Sequence, residues 1–96
     1  MNYNFEWDLE KAKANFAKHK ISFQRASTIF LDPFALSIFD DEHSIDEDRW
    51  LTLGKDSKGI LIVVFHTFRK IDSHACTIRI ISARKATRKE RRQYEG

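Results

Sequence analysis

The run Ile60-Leu61-Ile62-Val63-Val64-Phe65 decides the architecture. Six successive apolar residues, rich in β-branched side chains, are of strand length, and the lack of polar alternation predicts a central strand covered on both faces. Working backwards, Gly54-Lys55-Asp56-Ser57-Lys58-Gly59 has the composition of a turn, which makes Arg49 to Leu53 the preceding strand. Before that, Phe34, Leu36 and Ile38 alternate with Ala35, Ser37 and Phe39, a period of two that ends at the acidic Asp40-Asp41-Glu42. Working forwards, a polar connection from Arg69 to Ala75 leads into Cys76-Thr77-Ile78-Arg79-Ile80-Ile81. There Ile78 and Ile80 share one face and Thr77 and Arg79 the other.

Helical signals flank these strands. Asp8 is placed to cap the amides that follow Trp7, Glu10 lies near the positive end of the dipole, and Leu9, Ala12, Phe16 and Ala17 recur at helical spacing as the packing face. That helix ends near His19-Lys20. Ser22 caps a second, with Phe23, Ala26, Ile29 and Phe30 on its apolar side, terminated before Asp32-Pro33 because proline disfavours helical geometry in the residue before it. At the other end, Thr87-Arg88-Lys89-Glu90 is a capping-box pattern that starts a short helix running to about Glu95. The order is ααββββα.

Ninety-six residues leave room for a single domain spanning 1–96. Hydrophobic residues at 42% and charged ones at 32% describe a chain that folds. One cysteine, Cys76, permits no internal disulfide and no thiolate cluster, and the opening segment lacks the basic start and apolar stretch of a signal peptide. A cytoplasmic protein without a membrane span is expected, and neither a metal site nor a cofactor fingerprint is proposed.

The formal charge of +3 is modest, but it is distributed unevenly. Asp32 to Asp48 holds seven carboxylates and no Lys or Arg, whereas Arg79 to Arg92 holds seven cations against Glu90 alone. Either the C-terminal end is a solvated tail balanced by an acidic loop, or it is a phosphate-binding surface. The expected last helix has no apolar face to bury, so it either frays or is ordered by an anionic partner. Placement favours a site. Arg79 projects from a strand, Arg84 and Lys85 follow where the strand leaves the sheet, and Thr87 opens a helix whose free amides attract anions. His66 closes the central apolar run, where an imidazole serves either as an acid–base group or as a structural cap to the strand. His19, His43 and His74 have weaker settings: a helix end, the acidic loop and a connection without metal-finger spacing.

Further motifs lie along the chain: Phe5-Glu6-Trp7-Asp8 with Lys11 and Asn15, Lys18-His19, Ile21-Ser22-Phe23, Asp32-Pro33 and Leu51-Thr52-Leu53-Gly54. The most specific is Arg79-Ile80-Ile81-Ser82-Ala83-Arg84-Lys85-Ala86-Thr87, followed by Glu90-Arg91 and Tyr94-Glu95. Together, over Phe5 to Glu95, they resemble the BrnT family of bacterial toxins. The resemblance implies a RelE/ParE-like α+β fold with two N-terminal helices, a four-stranded antiparallel sheet and a short C-terminal helix. It further implies a ribonuclease of a type II toxin-antitoxin system, held in a hetero-oligomer by a DNA-binding, BrnA-like antitoxin. Two departures stand out: Lys20 occupies a place where the family usually has Gly, and the Arg69 to Ala75 connection is longer than the family's tight turn.

On that reading RNA brings its own nucleophile, the 2′-hydroxyl, and a small metal-independent endoribonuclease needs mainly to position and neutralise the phosphate. Arg79 and Arg84 are expected to hold it, with Lys85 assisting. His66 would exchange the proton, Tyr94 would donate or stack, and Arg88, Lys89, Arg91 and Arg92 would bind the rest of the RNA. The competing readings are a non-catalytic module that uses the basic helix to bind nucleic acid or protein, and a structural subunit facing an acidic partner.

Overall fold

The computed structural model describes residues 2–96. Its elements are β1 (Asn2–Glu6), α1 (Leu9–His19), α2 (Phe23–Ser27), β2 (Leu36–Phe39), β3 (Trp50–Lys55), β4 (Leu61–Lys70), β5 (Ala75–Lys85) and α3 (Arg88–Glu95). Short 3₁₀ turns cover Thr28–Leu31 and Asp41–His43. The five strands form one sheet in the order β1-β5-β4-β3-β2, with β1 parallel to β5 and the other pairs antiparallel.

This corrects the expected four-stranded antiparallel sheet behind two leading helices: the sheet has five strands, is mixed, and starts the chain. In Asn2-Tyr3-Asn4-Phe5-Glu6, Tyr3 and Phe5 lie opposite Cys76 and Ile78 on β5 and join Phe30 in an aromatic cluster. The alternation is that of a half-buried strand. The second helix is also shorter than the pattern suggested, since α2 ends at Ser27 and tightens into the 3₁₀ turn Thr28–Leu31 before Asp32.

The central run behaves as its composition requires. Leu61, Ile62, Val63 and Val64 are all buried, because β4 occupies the middle of the sheet. One face packs under α1 and α2, where Ile62, Val64, Ile78, Ile80 and Ala83 meet Ile21, Phe23, Ala26 and Ile29. Gly54 lies where the Thr28–Leu31 turn approaches β3 closely: a Cβ there would stand 3.0 Å from Ile29 Cβ and 3.2 Å from the Ile29 carbonyl oxygen. The last two strands run longer than expected, leaving only a turn around Asp72, whose carboxylate accepts from the amides of His74 and Ala75 at 2.7 and 2.9 Å.

α1 turns a different face inward than its apolar stripe proposes. Leu9 and Phe16 are 71% and 51% exposed, whereas Asn15 is buried. Beyond Arg79, β5 has no β1 neighbour, and the Asn15 side-chain amide satisfies that edge. Its Nδ2 donates to the carbonyls of Ala83 (3.0 Å) and Ile21 (3.1 Å), and its Oδ1 accepts from the Ala83 amide (3.0 Å). A side-chain amide thus stands in for the missing strand, which a buried backbone requires. Asp8 caps α1 by accepting from the amides of Glu10 and Lys11, and the helix ends on Lys20 at φ 60°, ψ 28°.

Candidate active site

The residues of interest are sorted by one irregularity in the β4–β5 ladder. Phe65 faces Ser82 and His66 faces Ile80, so Ile81 has no partner on β4. Below this bulge Thr67 pairs with Arg79; above it Val63 pairs with Arg84. Paired residues share a face, so Arg79, Ser82 and Arg84 all lie on the side of the sheet away from α1 and α2. Phe65, Ile81 and Ser82 form the floor of a hollow of about 220 Å³ whose rim is Asp40, His43 and Arg49.

Each of the two arginines is already held by a carboxylate. The Arg84 guanidinium donates from Nη1 and Nη2 to Glu90 Oε1 and Oε2 at 2.8 and 2.9 Å, with its Cζ 5.5 Å from the centre of the Phe65 ring. Glu90 Oε1 also accepts from the Thr87 amide at 2.8 Å, and Thr87 Oγ1 accepts from the Glu90 amide, completing the capping box. The Arg84 hydrogen bonds push the Glu90 carboxyl down to about 2, against the opposing effect of burial. This end-on pairing leaves the Nε edge of Arg84 as a second fork for an anion. Arg79 donates to Glu47, which also lies 3.8 Å from Arg49 Nη2.

The loop that carries Glu47 is pinned at its stem. The Asp40 amide donates to the Arg49 carbonyl at 2.8 Å, and Ser44 Oγ both donates to the Asp40 carbonyl and accepts from the Arg49 amide. His43 Nδ1 lies 2.9 and 3.1 Å from the two Asp40 carboxylate oxygens. Arg49 Nε is buried and has no acceptor among the described residues.

Other predicted residues lie elsewhere. Lys85 pairs with Ile62 and so belongs to the opposite face from Arg84, exposed at the strand end beside Lys18, His19 and Lys20. His66 is also on that opposite face and fully buried, between the rings of Phe30 and Phe68. Its Nδ1 donates to the Thr67 carbonyl (3.4 Å), so Nε2 accepts from Thr52 Oγ1 (2.6 Å), which in turn is 2.8 Å from Ser37 Oγ. Burial lowers its pKa to about 4, only partly countered by the Thr67 bond, and the ring is neutral at physiological pH. The structure therefore places Arg79 and Arg84 on one face of the sheet and His66 on the other.

Tyr94 is half-buried on α3, its hydroxyl donating to Asp32 Oδ2 at 2.5 Å; that bond holds the phenol up to about 12. With the Glu90–Arg84 pair it gives α3 polar contacts to the rest of the chain. Arg88, Lys89, Arg91 and Arg92 are all exposed on it. Sequence reading passed over Asp40, His43 and Glu47 as members of an acidic loop and Arg49 as the start of a strand. The available cue was that seven carboxylates close to a polycation in one small domain must find partners there. No cluster of three or more His, Cys, Asp or Glu side chains among the described residues is placed to hold a metal ion.

Residues 7–90 match the family model of the ribonuclease toxin, BrnT, of type II toxin-antitoxin systems. The chain belongs to the BrnT family. Its fold is similar to the 1.1 Å crystal structure of the Brucella abortus ribonuclease toxin BrnT, with a TM-score of 0.61 and 24% identity over 91% of this chain and 100% of that one. Among curated proteins none matches the chain. Membership in a BrnT toxin family makes RNA the substrate class and an antitoxin the partner. Among the described residues no helix is long and apolar enough to cross a membrane.

Proposed function

We propose that this BrnT-family chain is a metal-independent endoribonuclease that cleaves cytoplasmic RNA by attack of the ribose 2′-hydroxyl on the adjacent phosphate. It thereby arrests translation and growth until a BrnA-like antitoxin covers the site. The observation that carries this reading is the bulge at Ile81, which puts Arg79 and Arg84 on the same face of the sheet as Phe65 and Ser82 of the hollow. Two guanidinium groups there match the geometry of a phosphate and neutralise the charge that accumulates as the 2′-oxygen bonds to phosphorus and the 5′-oxygen departs. Phe65, with Arg84 over its ring, offers a flat apolar surface to a base. The exposed Arg88, Lys89, Arg91 and Arg92 supply contacts to flanking phosphates.

In this reading Lys85 adds long-range charge from the edge of the sheet, Tyr94 anchors α3, and His66 supports the core beneath the site. The test is to incubate the purified chain with an RNA and with the DNA of the same sequence, with and without EDTA. Cleavage of RNA alone, unaffected by EDTA and leaving 2′,3′-cyclic or 3′-phosphate ends, is expected. Cleavage of DNA, 3′-hydroxyl ends or loss of activity in EDTA overturns it, and binding of both polymers without cleavage favours the module reading. Expression with and without the cognate antitoxin tests neutralisation.

A further inference from the structure

We propose that His43, oriented by Asp40, is the proton-transfer residue of the hollow, and that Arg49 is a third cation for the substrate phosphate. This rests on the ribonuclease reading above. Three observations converge. His43 stands on the rim of the same hollow whose floor is Phe65, Ile81 and Ser82 between the two arginines. Its Nδ1 faces both oxygens of the Asp40 carboxylate, an acceptor that fixes the proton on Nδ1 and leaves the Nε2 lone pair without a partner among the described residues. Arg49, on the opposite stem of the loop, lines the same hollow, with its Nη2 3.8 Å from Glu47. The turn Asp41–His43, closed by the Asp40–Arg49 and Ser44 hydrogen bonds, holds the imidazole at the hollow on a short, pinned loop.

The step is a transesterification. The 2′-oxygen bonds to phosphorus as its proton passes to His43 Nε2, and the phosphorus–5′-oxygen bond breaks. The departing 5′-oxygen takes a proton from water, and the imidazolium returns its own to the resulting hydroxide. Products are a 2′,3′-cyclic phosphate and a 5′-hydroxyl, with no net proton released. The charged groups beside the imidazole in the hollow are Asp40 and Arg49; Glu47 lies 3.8 Å from Arg49 and accepts from Arg79, and Arg84 lies over the Phe65 ring.

The experiment is the single-turnover cleavage rate of a labelled RNA oligonucleotide across pH 5 to 9 for the native chain, His43→Asn, Asp40→Asn and the control His74→Asn. His43→Asn should lower the rate about 10²-fold or more, the usual range for losing a general base. It should also erase the limb of the pH profile that belongs to the general base, while RNA affinity and thermal midpoint stay at the native values. Asp40→Asn should lower the rate less and displace that limb, and His74→Asn should change neither. A His43→Asn protein that cuts at the native rate with an unchanged profile overturns the assignment while leaving the ribonuclease reading intact. A native chain that cuts no RNA overturns both.

Discussion

Arg79 and Arg84 are five positions apart on β5, yet they project from the same face of the sheet because Ile81 has no partner on β4. In a regular strand an odd spacing places two side chains on opposite faces. One unpaired residue puts two cations five positions apart on a common face, and it does so on the side free of α1 and α2.

Both cations are neutralised inside the free protein, and the Glu47–Arg79 pair is the more exposed of the two. A substrate phosphate must compete with Glu47 for Arg79. Glu47→Gln is therefore expected to tighten RNA binding by roughly threefold to tenfold at low salt, a range that fits the ~1 kcal/mol scale of exposed ion pairs. Fluorescence anisotropy with a labelled RNA checks this, and an unchanged or weaker affinity would count against competition at Arg79.

Glu90 has the opposite role, since it aims Arg84 and caps α3 at once. Its folded-state pKa of about 2 lies below the ordinary 4.5, so its stabilisation is fully present above pH 4.5 and is lost as pH falls through about 2. Glu90→Gln keeps a capping-box residue but removes the charge. Urea unfolding should show a loss of about 1–2 kcal/mol at pH 7 that shrinks on acidification toward pH 2.

His66 carries a different pH signature. Its folded pKa of about 4 lies below the usual 6.5, so stability is fully present above pH 6.5 and falls as pH drops toward 4. His66→Gln should flatten the dependence of the denaturation midpoint on pH in that window. It should leave RNA cleavage at pH 7 within a few-fold of native if the fold is retained. A loss of several orders of magnitude in a folded His66→Gln protein would place His66 in the chemistry.

Lys20 closes α1 in the left-handed region, the only non-glycine residue with positive φ among those described. Its amide bonds the Phe16 carbonyl at 2.9 Å, which Lys20→Gly preserves. Relief of the Cβ clash should raise stability by about 1 kcal/mol, readable as a higher midpoint in chemical denaturation.

What the sequence disclosed follows from where its signals are local. The Ile60 to Phe65 run, the Asp8 and Ser22 caps and the Thr87–Glu90 box are decided by neighbours a few residues away, and all are present in the structure. β1 was hidden because five residues of alternating polarity gain meaning only when β5, some seventy positions later, offers an edge. Leu9 and Phe16 misdirected the reading of α1 because Asn15 contributes two backbone-like hydrogen bonds that no hydrophobic pattern encodes. At the site, Arg79 and Arg84 stood out by charge. Their common face did not, because a bulge is a property of the pairing between two strands and leaves no mark in either one alone.

The most direct measurement of the central claim is a double-mutant cycle on single-turnover RNA cleavage, using Arg79→Ala, Arg84→Ala and the combined variant, each verified as folded. If both guanidinium groups grip one phosphate, each single change should lower the rate about 10²-fold or more, and the pair should lose less than the product of the two. A combined variant that cleaves at the native rate, or singles whose effects are confined to RNA affinity and multiply independently, would contradict a shared site on the far face of β5.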